Sequence, residues 1–284
     1  MIIKNPRNLP DSIVRAVTGN HERNKDTKRF GVNELIGPPL VRALKFEHWD
    51  EIEVEVEDMA DMMMGSAFHS YMEKYAPENH VAEEKITIPW PYDYTISGIP
   101  DCYYDDTLDD YKTTSVWAYI YGDKPEWEAQ LNVYRYMIGM AHGRVINNLR
   151  VIAYFKDWSA RDAERNSDYP PAKLMIIPIP VWELDKTKAY IDERIKAHEQ
   201  CLPCTDKERY KKPDTFAVMA KGRKSALRVL DTEEEAIEWM KNNKGDSIDH
   251  RIGENKRCKG YCNVAAFCPI GKQEISKGET NETT

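Results

Sequence analysis

The sequence predicts a mixed α/β fold with a central sheet flanked by helices, and three observations predict it. Two long stretches, about Asp58 to Tyr75 and Pro125 to Gly143, carry apolar residues at helical spacing. Five short runs rich in β-branched and aromatic residues (KITIPW, YTISGIPDCYY, LDDYKTTS, LRVIAYF and KLMIIPIPV) lie between and after them. At 284 residues the chain can bury a full core, as one elaborated domain or one domain with a small appendage.

Each element has a local reason. Residues 1–30 are polar and irregular apart from an amphipathic piece around Leu9 to Val17. A helix is expected from Val32 to Phe46, with Asn33 as its cap and an interruption at Pro38-Pro39. In the first long helix Met62, Ala67, Phe68, Tyr71 and Met72 fall near one face, and Pro77 ends it. Pro91-Tyr92-Asp93 and Asp105-Asp106 break the following strands into hairpins. The second long helix places Trp127, Leu131, Tyr134 and Ile138 on one side and ends at Gly139 or Gly143. LRVIAYF and KLMIIPIPV read as buried strands, and TKAYIDERIKAHEQCL as a further helix. FAVMAKGRKSALRVLDTEEEAIEWMKNN reads as a strand, turn, strand and helix, capped by Asp231 with Glu234 at the capping-box position. The expected division is a core over 1–200, a small β-β-α insert with a cysteine region over 201–270, and a disordered tail over 271–284.

The formal charge of −8 counts mildly against a polyanionic partner, but the acids are concentrated in HWDEIEVEVEDMADM and DTEEEAIEWM. Basic residues gather elsewhere, at Arg23, Lys25, Lys28 and Arg29, at Lys207 to Lys212, and at Lys221 to Lys224. No apolar run reaches the length of a membrane span and no secretory signal opens the chain, so no membrane association and a cytoplasmic setting are the expectation. Six cysteines in such a setting read as thiols or metal ligands before disulfides.

The hairpin SGIPDCYYDDTLDDYKTT carries the candidate chemistry. If Asp105-Asp106 is a two-residue turn, Asp101 lies directly across from Asp110, with Cβ atoms about 4.5–5.5 Å apart on one face; a three-residue turn would shift the pairing by one. Lys112, two residues beyond Asp110, projects from the same face. Two carboxylates this close repel, and a divalent cation compensates them directly. Hard oxygen ligands suit Mg²⁺ or Mn²⁺. Phosphodiester hydrolysis needs this grouping: an activated water, neutralised phosphate charge and a stabilised leaving oxygen. Lys112 would orient or help deprotonate the water and offset transition-state charge.

Four short motifs in order bring a family resemblance. Gly65-Ser-Ala-Phe-His69 with Glu73, Gly98-Ile-Pro-Asp101, Asp110-Tyr-Lys112-Thr113 and Gln130-Leu-Asn-Val-Tyr134 together resemble the RecB-like PD-(D/E)xK nucleases over roughly residues 60–140. The resemblance implies a restriction-endonuclease-like core. It also implies roles: His69 as a metal ligand supplied from a helix, Asp101 and Asp110 as core ligands with the carbonyl of Tyr111, and Lys112 as the catalytic lysine. Gln130 and Tyr134, at i and i+4, could present to the site or the DNA strand from one helix face. Glu84, at the start of a strand, is a further candidate ligand, with Glu83 facing the other way.

Cys258, Cys262 and Cys268 supply three soft ligands in one short segment, which suits an iron–sulfur cluster or tetrahedral zinc. Cys204 or Cys201 can be the fourth. Several RecB-like nucleases carry a similar terminal triplet that helps bind a [4Fe–4S] cluster, with the fourth cysteine before the nuclease motifs; here no cysteine precedes Cys102. The expectation is a [4Fe–4S] cluster on Cys204, Cys258, Cys262 and Cys268, with Zn²⁺ on Cys201, Cys204, Cys258 and Cys262 as the alternative, either acting as a structural staple. Residues 31–44, MAKGRKSALRVLDTEEEA and ENKRCKGYCNVAAFC also resemble nucleases of tailed bacteriophages. The resulting expectation is a metal-dependent deoxyribonuclease of exonuclease type, working in phage DNA replication, recombination or host-DNA breakdown. Its partners would be DNA and a phage recombination or single-strand-binding protein. The alternative is a catalytically inactive DNA-binding or assembly protein that keeps the fold.

Overall fold

Prolines and left-handed residues set most of the breaks between elements. The computed structural model describes residues 1–19, 23–121 and 124–281, in two compact units, Met1–Leu202 and Pro203–Thr284. The first unit runs β1 (Ile2–Lys4), α1 (Asp11–Thr18), β2 (Arg29–Gly31), α2 (Val32–Ile36), α3 (Pro39–His48), β3 (Glu53–Glu55), α4 (Ala60–Lys74), β4 (Val81–Ala82), β5 (Ile86–Trp90), β6 (Tyr94–Gly98), β7 (Cys102–Tyr104), β8 (Thr107–Thr114), α5 (Val116–Ile120), α6 (Pro125–His142), β9 (Asn148–Phe155), α7 (Ala160–Arg165), β10 (Leu174–Ile179) and α8 (Leu184–Glu199).

Its main sheet has the order β10-β9-β8-β7-β4, in which β8 and β9 are parallel and the other pairs antiparallel. A second sheet, β2-β6-β5, receives β2 parallel to β6. The run YTISGIPDCYY is therefore two strands in two sheets. Pro100 offers no amide to a ladder, so the chain leaves one sheet at Gly98 and enters the other at Cys102. The β5–β6 connection is the three residues 91–93, since Trp90 pairs with Tyr94, and Tyr92 and Asp93 turn the chain in the left-handed region at φ 64° and 63°.

The Pro38-Pro39 interruption separates α2 from α3, with Pro39 at the first helical position of α3. Asn33 is not the cap of α2. That place belongs to Gly31, whose amide donates to the Glu34 carboxylate at 3.2 Å. α6 runs to His142 and stops at Gly143 in the left-handed region, φ 66°. Phe30, Leu35, Ile96, Leu108, Leu131, Met137, Val151, Phe155 and Ile191 form the heart of one core, drawn from both sheets and from α2, α6 and α8. Each such side chain contributes about 1.5–3 kcal/mol by leaving water. β10 is an edge strand and not a fully buried one; Leu174 and Ile176 point outward, 55% and 59% exposed.

The second unit runs β11 (Thr215–Met219), β12 (Arg228–Leu230), α9 (Glu233–Asn242), β13 (Ser247–Arg251), α10 (Lys256–Gly260) and α11 (Pro269–Asn281). Its sheet has the order β12-β11-β13, all antiparallel. β13, whose Ser-Ile-Asp-His-Arg lacks an apolar alternation, escapes sequence reading. The cap of α9 is Thr232, accepting from the Glu235 amide at 3.2 Å, and not Asp231 one residue earlier. Residues 271–281 of the expected disordered tail belong to α11, which begins at Pro269; residues 282–284 of that expectation lie outside the described residues. Two contacts explain the helix. Glu274, 3% exposed, accepts from the Asn255 amide and side chain at 3.3 and 3.1 Å. Gly271 lies so close to Ala265 that a Cβ would stand 2.3 Å from its carbonyl oxygen. Among the described residues no helix is long and apolar enough to cross a membrane.

Candidate active site and metal centre

The β7–β8 hairpin has the register Cys102↔Asp109, Tyr103↔Leu108 and Tyr104↔Thr107, so Asp105-Asp106 is a two-residue turn. Continued by one pair, that register sets Asp101 opposite Asp110. Asp101 lies just before β7, and its Oδ2 accepts from the Tyr111 amide at 2.6 Å, which fixes the side chain against β8. Cys102 points the other way and is 1% exposed, as its alternation with Asp101 requires.

α4 packs on β8 and delivers the imidazole. Gly65 faces Thr113, where a Cβ would make ordinary contact with Oγ1 at 3.6 Å, and His69 lies four residues on along the same face. His69 Nε2 is 2.9 Å from the Tyr111 carbonyl oxygen. Nδ1 is 3.2 Å from Glu83 Oε1 and 3.3 Å from Asp101 Oδ1. With acceptors at both nitrogens the ring is held as imidazolium, its pKa raised to about 9 by the hydrogen bond to Asp101 against the opposing effect of burial. Burial and the nearby Asp101 charge push Glu83 upward.

His69, Glu83 and Asp101 form a trio whose ligating atoms all lie within 4.8 Å of one another, a spacing that fits a cation. The carboxylate beside His69 is therefore Glu83, and the expected ligand Glu84 is elsewhere. β4 ends at Ala82, and Glu83 takes φ 51°, which resets the alternation and reverses the two side chains. Glu84 instead accepts from the Tyr103 hydroxyl and pairs with His142 Nε2 at 3.1 Å. Strand alternation alone could not find this; only a left-handed residue at the strand end produces it.

Asp110 is 1% exposed, and neither of its carboxylate oxygens has a hydrogen-bond partner. Lys112 Nζ lies 2.6 Å from Oδ2, an ion pair in distance whose geometry leaves both oxygens unsatisfied as hydrogen-bond acceptors. Burial raises its pKa to about 6; Lys112 opposes the shift and Asp101 adds to it.

A cleft of about 610 Å³ opens over this cluster, lined by His69, Glu83, Asp101, Lys112, Gln130 and Tyr134 among others. Gln130 and Tyr134, one turn apart on α6, reach it as expected from their spacing. Tyr134 is 5% exposed, and burial raises its pKa well above the usual phenol range, so its hydroxyl keeps its proton. Gly98 has to be glycine, because a Cβ there would stand 2.5 Å from the Tyr134 ring and 2.7 Å from Val32.

The cysteines are free thiols. Burial raises the Cys204 thiol to about 11, and Cys262, Cys258 and Cys268 each add to the shift. Cys258 is likewise raised by burial and then by Cys262 and Cys268. Cys204 thus lies near Cys258, Cys262 and Cys268, all four in the second unit, whereas Cys201 belongs to the first.

No protein-family model and no curated protein matches the chain. Solved structures do. That of SSO0001 is 12% identical, covering 70% of this chain and 89% of that one with a TM-score of 0.50, a likeness of fold. A candidate exonuclease from Eubacterium rectale is 12% identical over 66% of this chain and 72% of that one, TM-score 0.30. LHK-Exo in complex with dAMP is 15% identical over 66% and 84%, TM-score 0.33.

Proposed function

We propose that this protein is a divalent-metal-dependent DNA nuclease whose reacting groups converge on the β7–β8 hairpin. The observation that carries the reading is Asp110, a buried carboxylate without a hydrogen bond, next to Asp101 and beside a lysine. Lys112 at 2.6 Å offsets one negative charge, and the second carboxylate, Asp101, leaves an excess that a bound cation would compensate. Asp101 and Asp110, with Glu83, the Tyr111 carbonyl and His69 once the ring gives up a proton to the incoming ion, would hold Mg²⁺ or Mn²⁺, an oxygen-rich donor set suited to a hard ion. When bound, the ion supplies positive charge that neutralises the phosphate and favours ionisation of water.

The chain's own groups do the rest. Lys112 orients the attacking water from beside Asp110 and offsets the negative charge that grows on the phosphate. Water forms the new P–O bond, the bond to the departing sugar oxygen breaks, and that oxygen leaves with a proton. Gln130 and the Tyr134 hydroxyl bind the strand from α6. Exonuclease action, and a place in phage DNA metabolism beside a recombination or single-strand-binding protein, extend the reading on the strength of the motif resemblance.

The test is release of nucleotides from end-labelled single- and double-stranded DNA with Mg²⁺ or Mn²⁺. Lys112→Ala should lower the rate by about 10²–10⁴-fold, the range for a general acid–base or charge-stabilising group. Full activity in that variant would end the mechanism, and inactivity of the wild type with both metals would favour a binding protein instead.

For the second unit we propose a [4Fe–4S] cluster on Cys204, Cys258, Cys262 and Cys268, with Zn²⁺ as the alternative occupant. The effect of Cys258, Cys262 and Cys268 on Cys204, with all four in one unit, supports Cys204 as the fourth ligand in preference to Cys201. Anaerobically purified protein should be brown and should lose its colour in Cys258→Ser; colourless protein containing zinc would decide for the alternative.

A further inference from the structure

The cleft above the acid cluster also holds two cations that the hydrolytic chemistry does not use. Arg29, exposed on β2, and Lys85, exposed just before β5, line it together with His69, Asp101 and Lys112. Arg29 Nε donates to Ser97 Oγ at 3.4 Å and makes no ion pair among the described residues. Lys85 makes neither an ion pair nor a hydrogen bond among them. The acids of the cleft are engaged elsewhere: Glu34 accepts from the Gly31 amide and Asn24, and Glu83 and Asp101 face His69. Lys112 is paired with Asp110.

In a chain of formal charge −8, cations left open inside a cleft of nucleotide size point to an anionic ligand. One diester needs the acid cluster and Lys112, and two further cations exceed that need. We propose that Arg29 and Lys85 form a second phosphate subsite, which holds the phosphate neighbouring the scissile one and makes the site select a polynucleotide strand over an isolated diester. This rests on the nuclease reading above. Arg29 supplies a planar fork for two phosphate oxygens and Lys85 a point charge.

Binding is measured first, so that it does not depend on turnover. Lys112→Ala protein is titrated with a labelled single-stranded oligonucleotide across a salt series, with and without Arg29→Ala and Lys85→Ala. Each substitution should weaken binding by about tenfold. The double change should flatten the slope of log affinity against log salt by about 1.4. In otherwise wild-type protein the same pair should raise KM for the oligonucleotide more than it lowers kcat. It should lower kcat/KM about 30-fold more for the oligonucleotide than for bis(p-nitrophenyl) phosphate, which has no neighbouring phosphate. Arg29→Lys should restore part of the loss.

Circular, 5′-hydroxyl and 5′-phosphorylated strands separate the sources of the phosphate. Loss on circular DNA assigns the subsite to an internal phosphate, and loss confined to phosphorylated ends assigns it to a terminal one. An unchanged salt slope, or equal losses on the oligonucleotide and the small diester, would overturn the subsite. Wild-type protein that cleaves neither substrate would overturn the nuclease reading, while the binding series would still decide the subsite.

Discussion

At the scale of single residues, Asp110 shows how a functional demand works against stability. With its pKa raised from 3.8 to about 6, its contribution to stability is fully present below the unfolded value and lost as pH rises through the folded one. Near neutrality the metal-free protein thus carries an unfavourable charge. Asp110→Asn should raise the metal-free unfolding free energy by about 1–3 kcal/mol near neutral pH while abolishing cleavage. Added Mg²⁺ or Mn²⁺ should raise Tm in the wild type and leave this variant unmoved, as mass action on a lost site requires. Thermal melts with and without metal check both points; a destabilised variant that still responds to metal would contradict them. The placing of Asp101, Asp110 and Lys112 was legible because strand alternation and a two-residue turn leave one register. Glu83 was not, since the left-handed turn at that residue depends on how β4 stops against β7.

Among elements, helices were legible where punctuation was strong. Pro38-Pro39 and Gly143 divide and end their helices as chemistry dictates. Caps were harder to place, because neighbouring residues compete and tertiary fit selects among them. Thr232 and Asp231 illustrate the competition. Thr232→Ala should cost about 1 kcal/mol and Asp231→Ala much less, measured by urea denaturation; equal losses would mean that the hydroxyl bond at Glu235 is not what opens α9. The reading of YTISGIPDCYY as one strand failed for another reason. β-propensity runs through Ile99, but the missing amide of Pro100 moves the chain between sheets, and a local pattern does not report which partner strand is waiting. α11 was missed because its stability comes from Glu274 and Gly271 meeting residues near Asn255 and Ala265, and not from an apolar stripe.

For the whole molecule, the α/β class follows from the pattern, the strand order β10-β9-β8-β7-β4 does not beyond the β7–β8 hairpin, and the net charge says little about the cleft. The response of the fold to acid belongs at this scale. His198, 6% exposed on α8, gives its Nε2 to the Leu35 carbonyl at 3.0 Å, while Nδ1 is buried without a partner. Burial lowers its pKa from 6.5 to about 4, with Arg194 and Arg42 adding to the effect. The depressed value makes its contribution present above pH 6.5 and lost as pH falls toward 4, about 3 kcal/mol in full. His198→Gln should flatten that acid limb in denaturation series at stepped pH, and an identical slope would exclude this histidine as its cause. The rim of the main sheet has its own consequence. The Phe155 amide bonds to the Lys173 carbonyl, and this phase turns the backbone nitrogens of Leu174, Ile176 and Pro178 away from β9. Proline at the last of these leaves the free margin one donor short. A second chain trying to add there as a sixth strand meets a gap in the ladder beside two greasy side chains, and the protein is guarded against fibrillar stacking where it is most open to it.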